Sequence, residues 1–516
     1  MRRIVIAAVV IVAAAGALYY ALAVLPQQGF RAALDESLKQ LPPGYAVTYK
    51  DASYAPASGI ASLSGVTVHK AEPHPFDATI EQVELRKPSL ELAAQWAQAA
   101  ANPAALTPET AWPVAQSVLA KGVTVHFEPA TVSFDAMHID GLWFFPWPLF
   151  QPGVPSLAAV EATIATDAPA RLDQLMPLLR LEAAVLAATA HDSLGIDNMR
   201  VTGRFPYGAS RTPTDVDYSI RKMESGPYDR GTFSSVTSED ITMTAGTQGT
   251  GSVDRLDIAG IDLRKPLLQL LAGDTPTPEM LDGLAIGRIE YSGFAVVQPN
   301  LPKFSFGGLS VSKVAFTGAV PVSGEFALTG IRLNKKQMPA AQAIEAFDQL
   351  GVDTLTLSFG AAYRWDLDQK RISLDNAVVT VDELGAVNLS ADVADVSPEQ
   401  GLSSAQARLV HALLRYHDAS LAERALRVAA TQSHADPAEF RQKLITMVQQ
   451  QAAALGDSPA ISAGAAAITA FLAAPQSLMI ELAPPSPVAL RSLQGAATMP
   501  PADLIALLGV TVTANQ

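Results

Sequence analysis

The chain has 516 residues, more than one small core can organise, so two or more structural units are expected. Its formal charge of −14, with 36 Lys and Arg residues that form no dense cluster, argues against a phosphate-binding surface and so against nucleic acid as a partner. Cysteine is absent, which excludes disulfides and thiolate metal ligands and leaves ordinary burial to hold the fold together.

Ile4 to Leu25 carries no charge and follows Arg2 and Arg3. As a helix it would span roughly 33 Å, enough for the hydrocarbon of a bilayer. Basic residues before the stretch and Asp35 and Glu36 after it predict an N-terminus in the cytoplasm and a body on the far side of an inner membrane. The competing reading is a cleaved secretory signal, with Ala21-Leu22-Ala23 as the cleavage site. Tyr19-Tyr20 suit the membrane–water interface and favour the anchor, and both readings export the body. Residues 26–44 follow as a juxtamembrane helix, because Phe30, Leu34, Leu38 and Leu41 recur at helical spacing.

From Tyr45 onward the texture changes to period-two strands broken by Gly, Pro, Asn and Asp, which predicts a β-rich exported body over 45–405. Thr354–Phe359 and Val387–Val393 alternate apolar and polar side chains, as an antiparallel sheet with one wet face requires. Further strands are expected at Val123–Phe127, Ile289–Val297, Val311–Thr317, Glu325–Leu333 and Arg371–Val381. Helical inserts are expected at Leu90–Ala101, Pro108–Ala120, Leu172–Thr189 and Ala340–Leu350. Two short repeats stand out. Glu84–Leu92 resembles Asp262–Leu270, and Gly65-Val66-Thr67-Val68-His69 recurs as Gly122-Val123-Thr124-Val125-His126. They fit either a duplication or one backbone solution used twice.

Residues 406–516 read as an α+β cap. A strand over Arg408–Tyr416 precedes a helix started by a capping box of Ser420 and Glu423. Asp436 is the N-cap of the next helix, with Pro437 at its first position. There Phe440, Leu444, Met447, Val448, Gln451 and Leu455 trace one face, apolar except at Gln451. A third helix from Ser458-Pro459 to Leu472 leads to strands Ser477–Leu482 and Val510–Ala514.

No catalytic signature accompanies these elements: there is no Gly-x-Ser-x-Gly elbow, P-loop or His-Glu-x-x-His helix. The pairs His69/His74 and His411/His417 lack metal-ligand spacing, and Gly246–Gly251 reads as a turn. No catalytic residue, metal site or cofactor is therefore expected. The most unusual local feature is Leu142–Phe150, whose prolines keep it from a regular helix or central strand. Trp143, Phe144, Phe145, Trp147 and Phe150 are its candidates for a lid over the end of a sheet, or for contact with a membrane surface or apolar ligand.

The N-terminal apolar segment followed by strand-and-turn sequence such as Ala52–Val68 resembles exported envelope proteins of the AsmA-like and YdgA type. The resemblance implies an inner-membrane helix before a periplasmic β-rich body and covers about residues 1–400. It brings no invariant residue that could be carried over. The helical C-terminal cap departs from that pattern, and the chain is short beside the long groove-forming members.

The sequence thus predicts a non-enzymatic, mainly β protein, with a curved or groove-like antiparallel sheet, a C-terminal α+β region and one transmembrane helix. Its expected partners are the inner membrane, a phospholipid or other acyl-chain lipid, and envelope assembly proteins. An adaptor subunit without a ligand cavity is the alternative, and a periplasmic hydrolase is a third reading.

Overall fold

The computed structural model of the chain describes residues 34–35, 38, 44–71, 75–89, 91–155, 160, 172–207, 212–274, 277–299, 303–337, 341–398, 400–456, 458–493 and 499–516. The expected span at 4–25 and His74 lie outside them, as does most of the juxtamembrane helix. Among the described residues no helix is long and apolar enough to cross a membrane. The chain is mainly β with a helical C-terminal region, and it divides into two compact units, Met1–Tyr291 with Val296–Pro299, and Ser292–Ala295 with Asn300–Gln516.

The first unit contains β1 (Tyr45–Thr48), β2 (Asp51–Ala55), β3 (Ile60–Lys70), β4 (Phe76–Arg86), β5 (Trp112–Phe127), β6 (Ala130–Phe144), β7 (Thr189–His191), β8 (Ser193–Tyr207), β9 (Thr212–Ser225), β10 (Tyr228–Asp229), β11 (Thr232–Ala245) and β12 (Gly249–Asp262). Strand β13 (Ala285–Val297) carries residues of both units. Antiparallel pairing runs from β3 through β4, β5, β6, β8, β9 and β11 to β12, with β1 and β2 both on the outer edge of β3. The helices are α1 (Leu92–Ala101), α2 (Leu172–Ala187) and α3 (Arg264–Leu271).

The strands of this unit share one device. At one level a residue of each strand drops out of pairing together with its neighbour: Gly65, Glu81, Gly122, Asp135, Asn198, Arg221, Asp240 and Asp254. On alternate strands that residue is left-handed: Gly65 (φ 57), Gly122 (φ 57), Asn198 (φ 51) and Asp240 (φ 51). Gly, Asn and Asp are the residue types that enter this region at least cost. The side-chain alternation slips by one residue there. In β3 the buried set runs Ala61, Leu63, then Val66 and Val68, and in β4 it runs Ala78, Ile80, then Val83 and Leu85. Because every strand slips at the same level, register survives and both halves keep their apolar side chains on one face. The repeated Gly-Val-Thr-Val-His thus sets the same left-handed glycine at the same level of β3 and β5. Leu34 is buried in the core that this face forms, and Leu38 packs against it.

The second unit holds β14 (Phe304–Thr317), β15 (Val320–Asn334), β16 (Thr354–Asp366), β17 (Arg371–Val381), β18 (Gly385–Ala394), β19 (Arg408–Asp418), β20 (Ser477–Leu482), β21 (Val488–Ala489) and β22 (Val510–Ala514). These pair antiparallel in the order β14 to β20 and then β22, with β21 beside the start of β19. Its helices are α4 (Ala341–Leu350), α5 (Leu421–Gln432), α6 (Pro437–Ala454), α7 (Pro459–Ala473) and α8 (Pro501–Leu508).

Three local expectations are corrected. Pro108–Ala120 is not a helix, since Trp112 already begins β5. Pro113 is tolerated in the strand because the ladder of β4 ends at Arg86, opposite Ser117, so no partner on that side needs its missing N–H. The capping box of Ser420 and Glu423 is not made. The Ser420 hydroxyl donates to the Glu383 carbonyl (2.6 Å), and Asp418 accepts the Ala422 N–H (2.7 Å) in its place. Glu423 instead pairs with Arg441 of α6 at 2.5 Å. In α6 the buried stripe is rotated from the expected one. Ile445 is its buried residue, while Met447 and Leu455 are 46% and 41% exposed. The Asp436 cap is present, accepting from the N–H groups of Ala438 and Glu439.

Candidate functional site

Among the described residues two apolar features stand out, one in each unit. The first is the aromatic end of the first unit, where β5 begins and β6 ends. Leu142–Phe144 complete β6, with Trp143 opposite Pro113 on one side and Ala190 on the other. Pro146 and Pro148 are buried, and Trp147–Phe150 form a single 3-10 turn, the structure open to a proline-punctuated segment.

Phe144 and Phe150 join Trp96 of α1 and Trp112 of β5 in one cluster, with ring centroids 5.7–6.4 Å apart. Phe145 stands apart from it, its ring covered by the Arg230 guanidinium at 4.5 Å. Arg230 is itself fixed by Asp229 and the Pro108 carbonyl. Trp147 is half-buried. Trp143 and Trp96 are each 42% exposed, although tryptophan is on average highly buried. Four of the chain's five tryptophans thus gather at this end. Trp96 and Trp112 were not among the sequence candidates. The available signal was a lone aromatic in the Ala/Gln-rich helix Leu92–Ala101.

The second feature is a sheet face. Register places Val311, Phe326, Ala361, Ala377, Leu389, Leu414, Ile480 and Val512 in one row across the second unit. The adjoining row is Leu309, Leu328, Phe359, Val379, Val387, Tyr416, Leu478 and Ala514. Every member is apolar or aromatic. Over β19–β22 this face has a cover, with Phe471 of α7 on Tyr416 at 5.9 Å and Leu504, Leu507 and Leu508 of α8 packed around Leu409, Leu482 and Val510. Over β14–β18 none of these residues is buried, and Phe326, Val379, Leu389 and Val387 are 36–43% exposed. The equivalent positions of β3–β6, such as Val66, Val123 and Val132, are at most 5% exposed. The strands around this face were legible from their alternation. Its exposure was not, because exposure depends on what the rest of the chain leaves uncovered.

Polar groups mostly pair with one another. Those that line an open cavity of about 400 Å³ at the level of the slips, Asp135, Asp197, Asn198, Arg221 and Lys222, do so too: Asn198 donates to Asp135, Arg221 pairs with Glu239 and Asp240, and Lys222 with Glu224. His69 meets Asp77 (2.7 Å) and His411 meets Glu481 (3.0 Å) across neighbouring strands. An open cavity of about 610 Å³ beside α3 is lined by Arg264 and Lys265, but each is neutralised, by Asp262 and Asp282 respectively. Asp262 is held below the usual carboxylate range by the hydrogen bonds from Arg264. His191, stacked on Tyr228 at 5.3 Å, has its pKa lowered by burial. Among the described residues no group of three or more His, Asp or Glu side chains could hold a metal ion.

Comparison with protein families finds one described only as "Uncharacterized protein", which matches residues 378–515. That stretch runs from the last part of β17 to β22 and includes the helices that cover the sheet face. No curated protein and no solved structure matches the chain.

Proposed function

We propose that this is a membrane-anchored cell-envelope protein that holds lipid without chemically converting it, with an acyl chain lying against the bare apolar face of β14–β18. The observation that carries the reading is that face: two apolar rows crossing five strands, roughly 19 Å at ~4.8 Å per strand spacing, with none of their residues buried. Each CH₂ laid against it would contribute about 0.8 kcal/mol. The uncharged segment Ile4–Leu25 supports a single-pass inner-membrane anchor that keeps this face near its source of lipid, with the body in the periplasm. The resemblance to AsmA-like and YdgA-type proteins points the same way.

The test is native mass spectrometry of the full chain extracted in mild detergent. The wild type should carry phospholipid. A Val379→Asp, Leu389→Asp variant should carry much less while melting at an unchanged temperature, since both positions are already partly wet. Lipid-free wild type, or a variant that retains its lipid, would overturn the reading. The alternative is an adaptor subunit of an envelope complex, favoured by one observation: the dry face of β3–β6 is sealed and offers no room for a ligand. In that case the same face of the second unit would bind a protein partner.

A further inference from the structure

We infer that β22 is the contact edge of a two-fold dimer, in which the β22 strands of two copies of this chain pair antiparallel, centred on Val512. The inference concerns the second unit alone and depends neither on the anchor nor on bound lipid.

Backbone direction carries it. Among the described residues β22 pairs on one side only, with β20. The Asn515 N–H donates to the Ser477 carbonyl (2.9 Å), and the Gly509 carbonyl accepts from the Ala483 N–H (3.4 Å), both in line with the ladder between them. Residues 509 and 515 therefore turn their backbone polar groups toward β20. In an antiparallel strand that direction alternates, so Thr511 and Thr513 do the same, and Val510, Val512 and Ala514 point theirs outward. Among the described residues no group meets those outward N–H and C=O groups. Sheet edges are ordinarily blunted by charge, proline, a bulge or a covering segment. Val510–Ala514 carries no charge and no proline, and its register with β20 is unbroken. Gly509 and Asn515, both left-handed at φ 56, end the extended run on either side, so a partner strand has five residues to pair with.

The sequence of this edge fits a second copy of itself. The register centred on Val512 is the one that pairs all five residues of one copy with all five of the other. It sets Val512 against Val512, Val510 against Ala514 and Thr511 against Thr513, through about six backbone hydrogen bonds. The two-fold axis is perpendicular to the sheet, so the apolar row Leu414, Ile480, Val512 continues into the same row of the other copy. The opposite face supplies a second observation. The Thr513 hydroxyl is buried and has no hydrogen-bond partner, a state that costs free energy. Thr511 donates to Glu481 (3.4 Å) and keeps a lone pair for another donor. In the paired edge, Thr511 of the other copy lies directly opposite Thr513, in a non-hydrogen-bonded pair with Cα atoms about 4.5 Å apart, and accepts from its hydroxyl. This chain makes the same contact elsewhere: Thr48 with Thr67 (2.5 Å) and Ser219 with Thr242 (2.7 Å) are hydroxyl pairs directly opposite across antiparallel strands.

The test uses the full chain in mild detergent. Native mass spectrometry should give a particle of twice the chain mass. Val512→Pro removes an outward N–H and no bond to β20, so it should shift the population several-fold toward the single chain at an unchanged melting temperature. The native chain has no cysteine, so disulfide formation reads the register without background. Two differently tagged copies, one Thr511→Cys and one Thr513→Cys, are mixed and mildly oxidised. The mixture should cross-link several-fold more than either variant alone, because 511 faces 513, whereas each position lies about 7–8 Å from its own counterpart, too far for a disulfide. A single-chain mass, a dimer indifferent to Val512→Pro, or equal cross-linking in all three samples would overturn the proposal. If the proline variant melts early, the cross-linking pattern alone decides it.

Discussion

Gly122 offers the sharpest test of how the first sheet is built. Its φ of 57 is left-handed, and a Cβ placed on it would lie 2.3 Å from Cγ and Cδ of Glu81. Glu81 is exposed and can swing aside, so the steric part of Gly122→Ala is small and the conformational part dominates, about 1–2 kcal/mol. Asn198 occupies the same level of the sheet at φ 51, so Gly122→Asn should cost less than alanine. Gly122→Val should cost more, because a β-branched side chain is least tolerated there. About 1.4 kcal/mol is a tenfold change in the folded-to-unfolded ratio, which a urea titration of the full body resolves as a lowered midpoint at constant slope. The order Asn, Ala, Val in increasing destabilisation is expected, and Glu81→Ala should soften the alanine variant only slightly. Equal effects for all three, or none, would refute the shared left-handed level as the organising device.

Val123→Asp should unfold the first unit, because Val123 is 1% exposed and the change places a carboxylate in a dry core, whereas Thr124→Asp on the wet face should be mild. Circular dichroism melts of the two variants check this, and similar melts would mean the faces are misassigned. Asp436→Ala should cost about 1 kcal/mol in a denaturant titration through its lost N-cap, and Ser420→Ala clearly less, because Ser420 caps nothing. Asp217, Asp257 and Asp262 are held below the usual carboxylate range mainly by hydrogen bonds from Arg200, Arg255 and Arg264. A depressed folded pKa gives stability that is complete above the unfolded value of about 3.9 and is lost as pH falls through the lower folded values. Urea midpoints should therefore fall below about pH 4, and Asp262→Asn should flatten that fall, while an unchanged pH profile would count against it.

The strands of the second unit were readable because alternation there is unbroken over short stretches such as Thr354–Phe359 and Val387–Val393. The level of paired slips in the first unit was only half readable. Gly65 and Gly122 announce a left-handed residue, but β4 and β6 slip at Glu81 and Asp135, ordinary residues whose place is set by neighbouring strands. Pro108–Ala120 misled because alanine and glutamine favour a helix locally while pairing with β4 and β6 decides the outcome. Ser420 and Glu423 have capping-box spacing, yet Asp418 and Arg441 compete for the same groups and win by being placed better. The aromatic segment was visible as an anomaly. Its support from Trp96 and Trp112 was not, since that meeting is made by α1 and the start of β5 rather than by proximity in the chain.

The central claim, an acyl chain on the bare face of β14–β18, is tested most directly by site-specific photocrosslinking. A photoreactive side chain is placed at Val379 or Leu389 on that face, and at Thr380 or Asn388 on the opposite face, in full-length protein within its native membrane. The account predicts lipid adducts at 379 and 389 and few or none at 380 and 388. Equal labelling of both faces, or adducts at 379 and 389 that contain only protein, would contradict it.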